Sequence, residues 1–228
     1  MVAEPDAGSP PRPVANTAEG FFLVFEGGDG VGKSTQARLL ADWLATQGRE
    51  VVLTREPGGT AIGAALRTLI LDPAHGDVAP RAEALVYAAD KAQHVHEVVL
   101  PALRRGAVVI SDRYVDSMLA YQGAGRVLEP ERVEQVARWA TGDLLPDLTV
   151  LLDLDPDRGL ATIEHKDRLE GAGADFHARA RQHFLDLAAQ DPEHYLVLPA
   201  RTGIDAIAAQ VRARVARQLS AAAGRLVR

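Results

Sequence analysis

Five stretches of the chain are apolar almost without interruption: FFLVFE (21–26), VVLTRE (51–56), AVVISD (107–112), LTVLLDLD (148–155) and YLVLPA (195–200). A strand with one wet face alternates apolar and polar side chains, whereas a strand covered on both faces is apolar throughout. The five runs therefore read as strands of a sheet buried on both sides. The segments between them change period. KSTQARLLADWLATQG (33–48) carries small or apolar residues at Ala37, Leu40, Ala41 and Leu44, three and four apart, and stops at Gly48. AEALVYAADKAQHVHEVVLPALRRG (82–106) reads as one long helix ending at Gly106. EPERVEQVARWA opens on Pro130, another helix begins near Ala174, and a last one runs from about Gly203 to the end. Strand and helix alternate, which predicts a five-stranded parallel sheet with helices on both faces, a three-layer α/β/α fold. Residues 20–228 read as one domain with neither repeat nor linker. Residues 1–19, rich in Pro, Ala and small polar residues, read as a disordered tail.

Composition removes several classes of function. The 228 residues carry a formal net charge of −6, with the two signs interleaved and no basic stripe, so nucleic acid is not an expected partner. There is no cysteine, which excludes disulfides, thiolate nucleophiles and Cys-ligated zinc, and fits a cytoplasmic protein. No charged start followed by an apolar core marks a signal peptide, and no apolar run approaches the roughly 20 residues that span a membrane. A soluble protein is expected.

GGDGVGKST (27–35), directly after the first strand and at the head of a helix, is a phosphate-binding loop of the form G-x-x-x-x-G-K-[ST]. Glycines let backbone N–H groups converge on phosphate oxygens, and the helix N-terminus adds its dipole. Gly27, Gly28, Asp29, Gly30, Val31, Gly32, Lys33, Ser34 and Thr35 are thus expected to bind a nucleotide (ATP, on the resemblance given below), with Lys33 on the outer phosphates and Ser34 on Mg²⁺. A guanine-nucleotide switch would need an N-K-x-D segment, and the one asparagine, Asn16, lies in the tail. Apart from the acids of LTVLLDLD, nothing resembles a remodelling ATPase. A kinase with a small acceptor suits the size best.

In parallel α/β sheets the ligand sits at the carboxyl ends of the strands, and three segments fall there. In TREPGGT (54–60), Arg55 offers a planar fork for a phosphate, while an ordinary turn with a surface arginine is the plain alternative. In SDRYVDSMLAYQG (111–123), Asp112 can hold Mg²⁺ or take a proton, and Arg113 and then Arg126 supply cations; a helix cap with surface arginines is the alternative. In LVYAADKAQHV (85–95), Tyr87 and Lys91 share a helix face and could read a base, or could be a core tyrosine with a snorkelling lysine. His94 and His96 stand two apart on a helix and do not make a shared metal site. DLDPD (153–157) reads as a strand end followed by a D-P helix start.

FEGGDGVGKST, TREPGGT, DRYVDSMLAYQG and DRLE, in this order and spacing, resemble the thymidylate kinase family from about Phe21 to beyond Leu187. The resemblance implies a P-loop fold, Mg²⁺-dependent transfer from ATP to dTMP, and commonly a homodimer. It implies that Arg55 and Arg113 clamp the dTMP phosphate and that Asp29 lies near the sugar 3′-hydroxyl. Ser117 and Gln122, with Tyr121 in the same AYQG segment, would approach the thymine edge. Tyr87 and Lys91 stand where the family usually has Phe and Arg. The segment 156–173, PDRGLATIEHKDRLEGAG, is expected to be a mobile lid. Members of the family take a catalytic arginine from the phosphate loop or from the lid. Gly28–Val31 contain none, which leaves Arg168 or Lys166 of the lid. Two rivals stay open at this point: a kinase of another nucleoside monophosphate, and a nucleotide-binding module without catalysis.

Overall fold

A computed structural model of the chain describes residues 20–161 and 167–226, with the backbone alone at Leu160 and 222–226. The tail 1–19 lies outside the described residues, as do His165 and Lys166 of the lid.

The sheet has five parallel strands, β1 (Phe21–Glu26), β2 (Val51–Arg55), β3 (Val108–Asp112), β4 (Leu148–Asp153) and β5 (Tyr195–Pro199), in the order β2-β3-β1-β4-β5. β1, which feeds the phosphate loop, is therefore central. It pairs with β3 (Phe21↔Val108) and β4 (Leu23↔Leu148), and all six of its residues are buried. Phe21, Leu23 and Phe25 enter a core with Leu40, Leu44, Val211 and Val215, while Phe22 and Val24 enter a second core with Val99, Leu103 and Tyr114. Successive side chains of a strand point to opposite faces, so one unbroken apolar run serves two cores. The edge strands depart from the expectation of burial on both faces: Leu53 of β2 and Val197 of β5 are exposed. An edge strand has one neighbour, so its outer surface is left open however apolar its sequence is.

The helices are α1 (Lys33–Thr46), α2 (Ala61–Leu71), α3 (Pro80–His94), α4 (Leu100–Arg104), α5 (Val115–Met118), α6 (Pro130–Thr141), α7 (Pro156–Leu160), α8 (Ala174–Gln190) and α9 (Ile204–Leu226). The stretch 82–106 is not one regular helix. A π-helical turn, Val95–Val99, joins α3 to α4 just before Pro101, whose ring would otherwise press on the carbonyl four residues back. A second π turn, Leu119–Gly125, follows α5 and carries Tyr121 and Gln122. Helix α2 gave no sequence signal because Gly63 interrupts its apolar pattern. Thr60 caps it, accepting from Gly63 N–H at 2.9 Å, and a Cβ at Gly63 would meet Asp90 Oδ1 at 2.3 Å. Asp155 likewise caps α7, accepting from Asp157 N–H at 3.1 Å, as the D-P helix start predicted.

Candidate active site

The phosphate loop turns sharply out of β1. Gly27 has φ 127°, and a Cβ there would meet the Leu152 carbonyl oxygen at 2.3 Å, so glycine is required twice over. The Lys33 ammonium folds back over the loop and donates to the carbonyls of Gly27 (3.1 Å) and Gly28 (2.6 Å). Burial pushes its pKa down to about 8 and nearby Arg113 adds to the effect, while Asp29, Asp112 and Glu26 oppose it. The Ser34 hydroxyl donates to Asp112 Oδ2 at 2.5 Å, which brings the two expected Mg²⁺ ligands together. From the far side, Arg201 donates to the Gly30 carbonyl at 3.1 Å. Arg181 of α8 pairs with Asp153 at the end of β4 at 2.7 Å, closing the loop's other flank.

Arg113 is the junction between this cradle and the rest of the cleft. It holds a left-handed φ of 75°, unusual for a residue with a side chain. Its N–H donates to Phe25 O (2.9 Å) and its carbonyl accepts from Ser111 Oγ (2.8 Å). The next turn is pinned by Glu26, a fully buried carboxylate that accepts from Tyr114 N, Ser117 N and Ser117 Oγ. So fixed, the guanidinium donates to Gly27 O (3.0 Å), Ser117 Oγ (2.9 Å) and Asp29 Oδ1 (2.5 Å), and lies over the Tyr121 ring. Tyr121 donates its phenol hydrogen to Asp29 Oδ2 at 3.3 Å. Burial works to raise the Asp29 pKa, but Arg113 and Lys33 hold it below the usual carboxylate range. Ser117 stands between this junction and the neighbouring pocket, whose wall it shares: its hydrogen goes to Glu26 and one lone pair to Arg113, so it also orients the arginine.

Beside Arg113 opens a pocket lined by Tyr87, Lys91, Met118, Gln122, Arg67 and the lid residues 167, 169 and 170. Tyr87 and Gln122 are both buried and both on the wall. Lys91 is a partial departure. It does not snorkel, and most of its donor capacity faces inward, to Glu56 Oε2 (2.5 Å) and the Tyr114 carbonyl (2.8 Å). Glu56 also takes His94 Nδ1 at 2.7 Å, and His94 Nε2 meets Thr54 Oγ1 at 2.7 Å, so that histidine serves a buried ion network. Burial would raise the Glu56 pKa, yet Lys91 and His94 hold it down. Arg55 ends β2 exposed, with no hydrogen bond among the described residues. Arg67 of α2, bonded to Pro57 O at 3.1 Å, went unread because its helix did.

The lid arginine is held on the acceptor side. Arg168 donates its Nε to Ile70 O at 2.8 Å and ion-pairs with Glu83 of α3, which also binds Arg126 and Gln122. The expectation of a cation directed at the donor phosphate is therefore not met by Arg168 in this arrangement: a buried carboxylate claims its charge. The other candidate, Lys166, lies outside the described residues.

The geometry is a two-compartment cleft, with a phosphate cradle on one side and an aromatic-walled pocket on the other, joined at Arg113. Comparison with known proteins agrees with it. A family model described as thymidylate kinase matches residues 25–211. A thymidylate kinase of Cutibacterium acnes is 60% identical over 196 residues, covering 86% of this chain and 96% of that protein. One from Bifidobacterium longum is 54% identical over 200 residues, covering 86% and 97%. The crystal structure of thymidylate kinase from Ehrlichia chaffeensis superposes with a TM-score of 0.70 at 31% identity, covering 84% of this chain and 95% of that one. The chain belongs to the thymidylate kinase family, the P-loop kinases that phosphorylate dTMP from ATP.

Proposed function

We propose that residues 20–228 form one catalytic domain in which the two compartments hold ATP and dTMP for in-line phosphoryl transfer. The observation that carries the reading is the Arg113 junction: one guanidinium touches the Gly27 carbonyl of the donor loop and stands on the wall of the acceptor pocket. Gly27–Thr35 bind the ATP phosphates through backbone N–H groups, and Lys33 offsets the charge that builds on the transferring group. Arg113 and Arg55 clamp the acceptor phosphate, Asp29 accepts from the sugar hydroxyl, and Tyr87 stacks on the base with Gln122 at its edge. Lys91, whose ammonium has three hydrogens, keeps one for the base. No covalent intermediate is needed; positioning and charge neutralisation supply the rate. The acceptor phosphate is already anionic, so Asp112 serves the metal.

Mg²⁺ bound by substrate phosphates needs only one or two protein oxygens. The adjacent Ser34 hydroxyl and Asp112 carboxylate fit that demand, and the described residues contain no self-sufficient cluster of three metal-ligating side chains. Bound there, Mg²⁺ would neutralise phosphate charge and orient the donor. The lid, about 156–173, closes over the nucleotides and excludes water. A homodimer is supported by an exposed apolar face formed by α3, α6 and the segment leading into α6, where Leu85 is 59% and Val127 75% exposed between Arg81 and Glu129. A two-fold axis sets such a mixed-sign rim against itself. No described helix is long and apolar enough to cross a membrane, and a cysteine-free, ATP-using enzyme suits the cytoplasm.

Purified protein with MgATP and a panel of monophosphates, followed by ADP release, tests the reading. Turnover should be fastest with dTMP and weaker with dUMP, which lacks one methyl, worth roughly 1–3 kcal/mol in an apolar pocket. Preference for CMP, or no acceleration with any acceptor, would sink it.

A further inference from the structure

Glu83 is fully buried in α3 and gathers three side chains from two distant segments. Its Oε1 accepts from Gln122 Nε2 at 3.0 Å and from Arg126 Nε at 3.1 Å, and its Oε2 accepts from Arg126 at 3.0 Å and from Arg168. Burial alone would raise its pKa, but Arg126, Gln122 and Arg168 hold it below the usual carboxylate range. An ionised carboxylate only accepts hydrogen bonds. The end of the Gln122 amide that meets it must therefore be the NH₂. The carbonyl oxygen, which has no hydrogen-bond partner among the described residues, is the end left for the pocket that Gln122 lines with Tyr87 and Lys91.

That polarity has a chemical consequence. Thymine and uracil carry a hydrogen on ring N3, and cytosine has a lone pair there. An amide held carbonyl-first accepts from the first two and repels the third; an amide free to turn could serve either. We propose that Glu83, without touching substrate, fixes the polarity of the Gln122 amide and so makes the acceptor pocket select pyrimidines that carry hydrogen at N3. The inference rests on the reading of this pocket as the base site, and it identifies Glu83 as a positioning residue for specificity. Arg126 and Arg168 maintain the charge of Glu83, which gives the lid arginine a task on the acceptor side.

The test is Glu83→Gln, a replacement of the same shape that can donate to or accept from Gln122. Steady-state kcat/KM is measured for dTMP and dUMP, with dCMP as substrate or competitive inhibitor. Discrimination of dTMP over dCMP should fall about tenfold or more, since sites built around a specific hydrogen bond discriminate strongly. Discrimination of dTMP over dUMP and the KM for ATP should stay put, because neither depends on N3 polarity. In a Gln122→Ala background the dTMP:dCMP ratio should already be low, and Glu83→Gln should lower it no further. Equal loss for dTMP and dCMP, or an undiminished ratio in Gln122→Ala, overturns the proposal; the second result holds even if Glu83→Gln fails to fold. Absence of dTMP turnover by the unaltered protein would instead overturn the reading of the cleft.

Discussion

The two halves of the cleft are built on different plans. The donor cradle is nine consecutive residues, Gly27–Thr35, and its ligating groups are chiefly backbone N–H at a helix start. The acceptor pocket draws on Asp29 of the loop, the turn after β2, α2, α3, Arg113, α5 with the π turn after it, and the lid, and several of its side chains are aimed by buried carboxylates. Glu26 aims Ser117 from 91 residues away in sequence, Glu56 takes Lys91, and Glu83 takes Gln122, Arg126 and Arg168. A backbone cradle tolerates variation in its neighbours. A pocket aimed by buried carboxylates does not, because each buried acid is costly once its partners are removed.

The contrast can be broken first at Lys33. Lys33→Ala should lower kcat/KM for ATP by about 10³-fold or more, the scale of losing a preorganised charge at the transferring group. Circular dichroism and Tm should be nearly unchanged, since the side chain touches only loop carbonyls. Glu56→Ala should do the opposite and damage the fold. It strands Lys91 and His94, which are 2% and 0% exposed, at roughly 3–5 kcal/mol, and a Tm within a degree or two of the parent would contradict the ion-aimed pocket. The pH profile sharpens the donor side. Lys33 must be protonated to hold phosphate, and its free-protein pKa is about 8. kcat/KM for ATP should therefore fall as pH rises through about 8, while kcat, reporting the phosphate-bound complex, holds to higher pH. The smallest effect is expected at the exposed Arg105–Glu50 pair, 3.1 Å apart. Glu50→Ala should change stability by less than about 1 kcal/mol, which separates surface pairs from buried ones.

The same contrast explains what the sequence could disclose. The five strands were legible from their unbroken apolar runs, which burial on two faces explains for β1, β3 and β4 though not for the edge strands, and the cradle because its chemistry lies in consecutive residues. Helix α2 was hidden by Gly63, whose reason is Asp90, 27 positions on. The hydroxyl of Ser117 is claimed by Glu26 and the guanidinium of Arg168 by Glu83. Neither claim leaves a local pattern, since each partner comes from another element of the fold. Glu26 and Glu56 lie inside quoted motifs and Glu83 in a helix, yet along the chain all three read as ordinary charged positions; only the folded arrangement makes them the fixed points of the pocket.

The most direct test of the two-compartment account is isothermal titration of Lys33→Ala with dTMP and, separately, with a non-hydrolysable ATP analogue. Because Lys33 bonds only the loop carbonyls and is not on the wall of the acceptor pocket, the account predicts that the analogue binds at least about tenfold more weakly, a loss of some 1.4 kcal/mol, while dTMP affinity stays within about threefold of the parent. Parallel loss of both ligands would contradict it, and would mean that the cradle and the pocket are one structure.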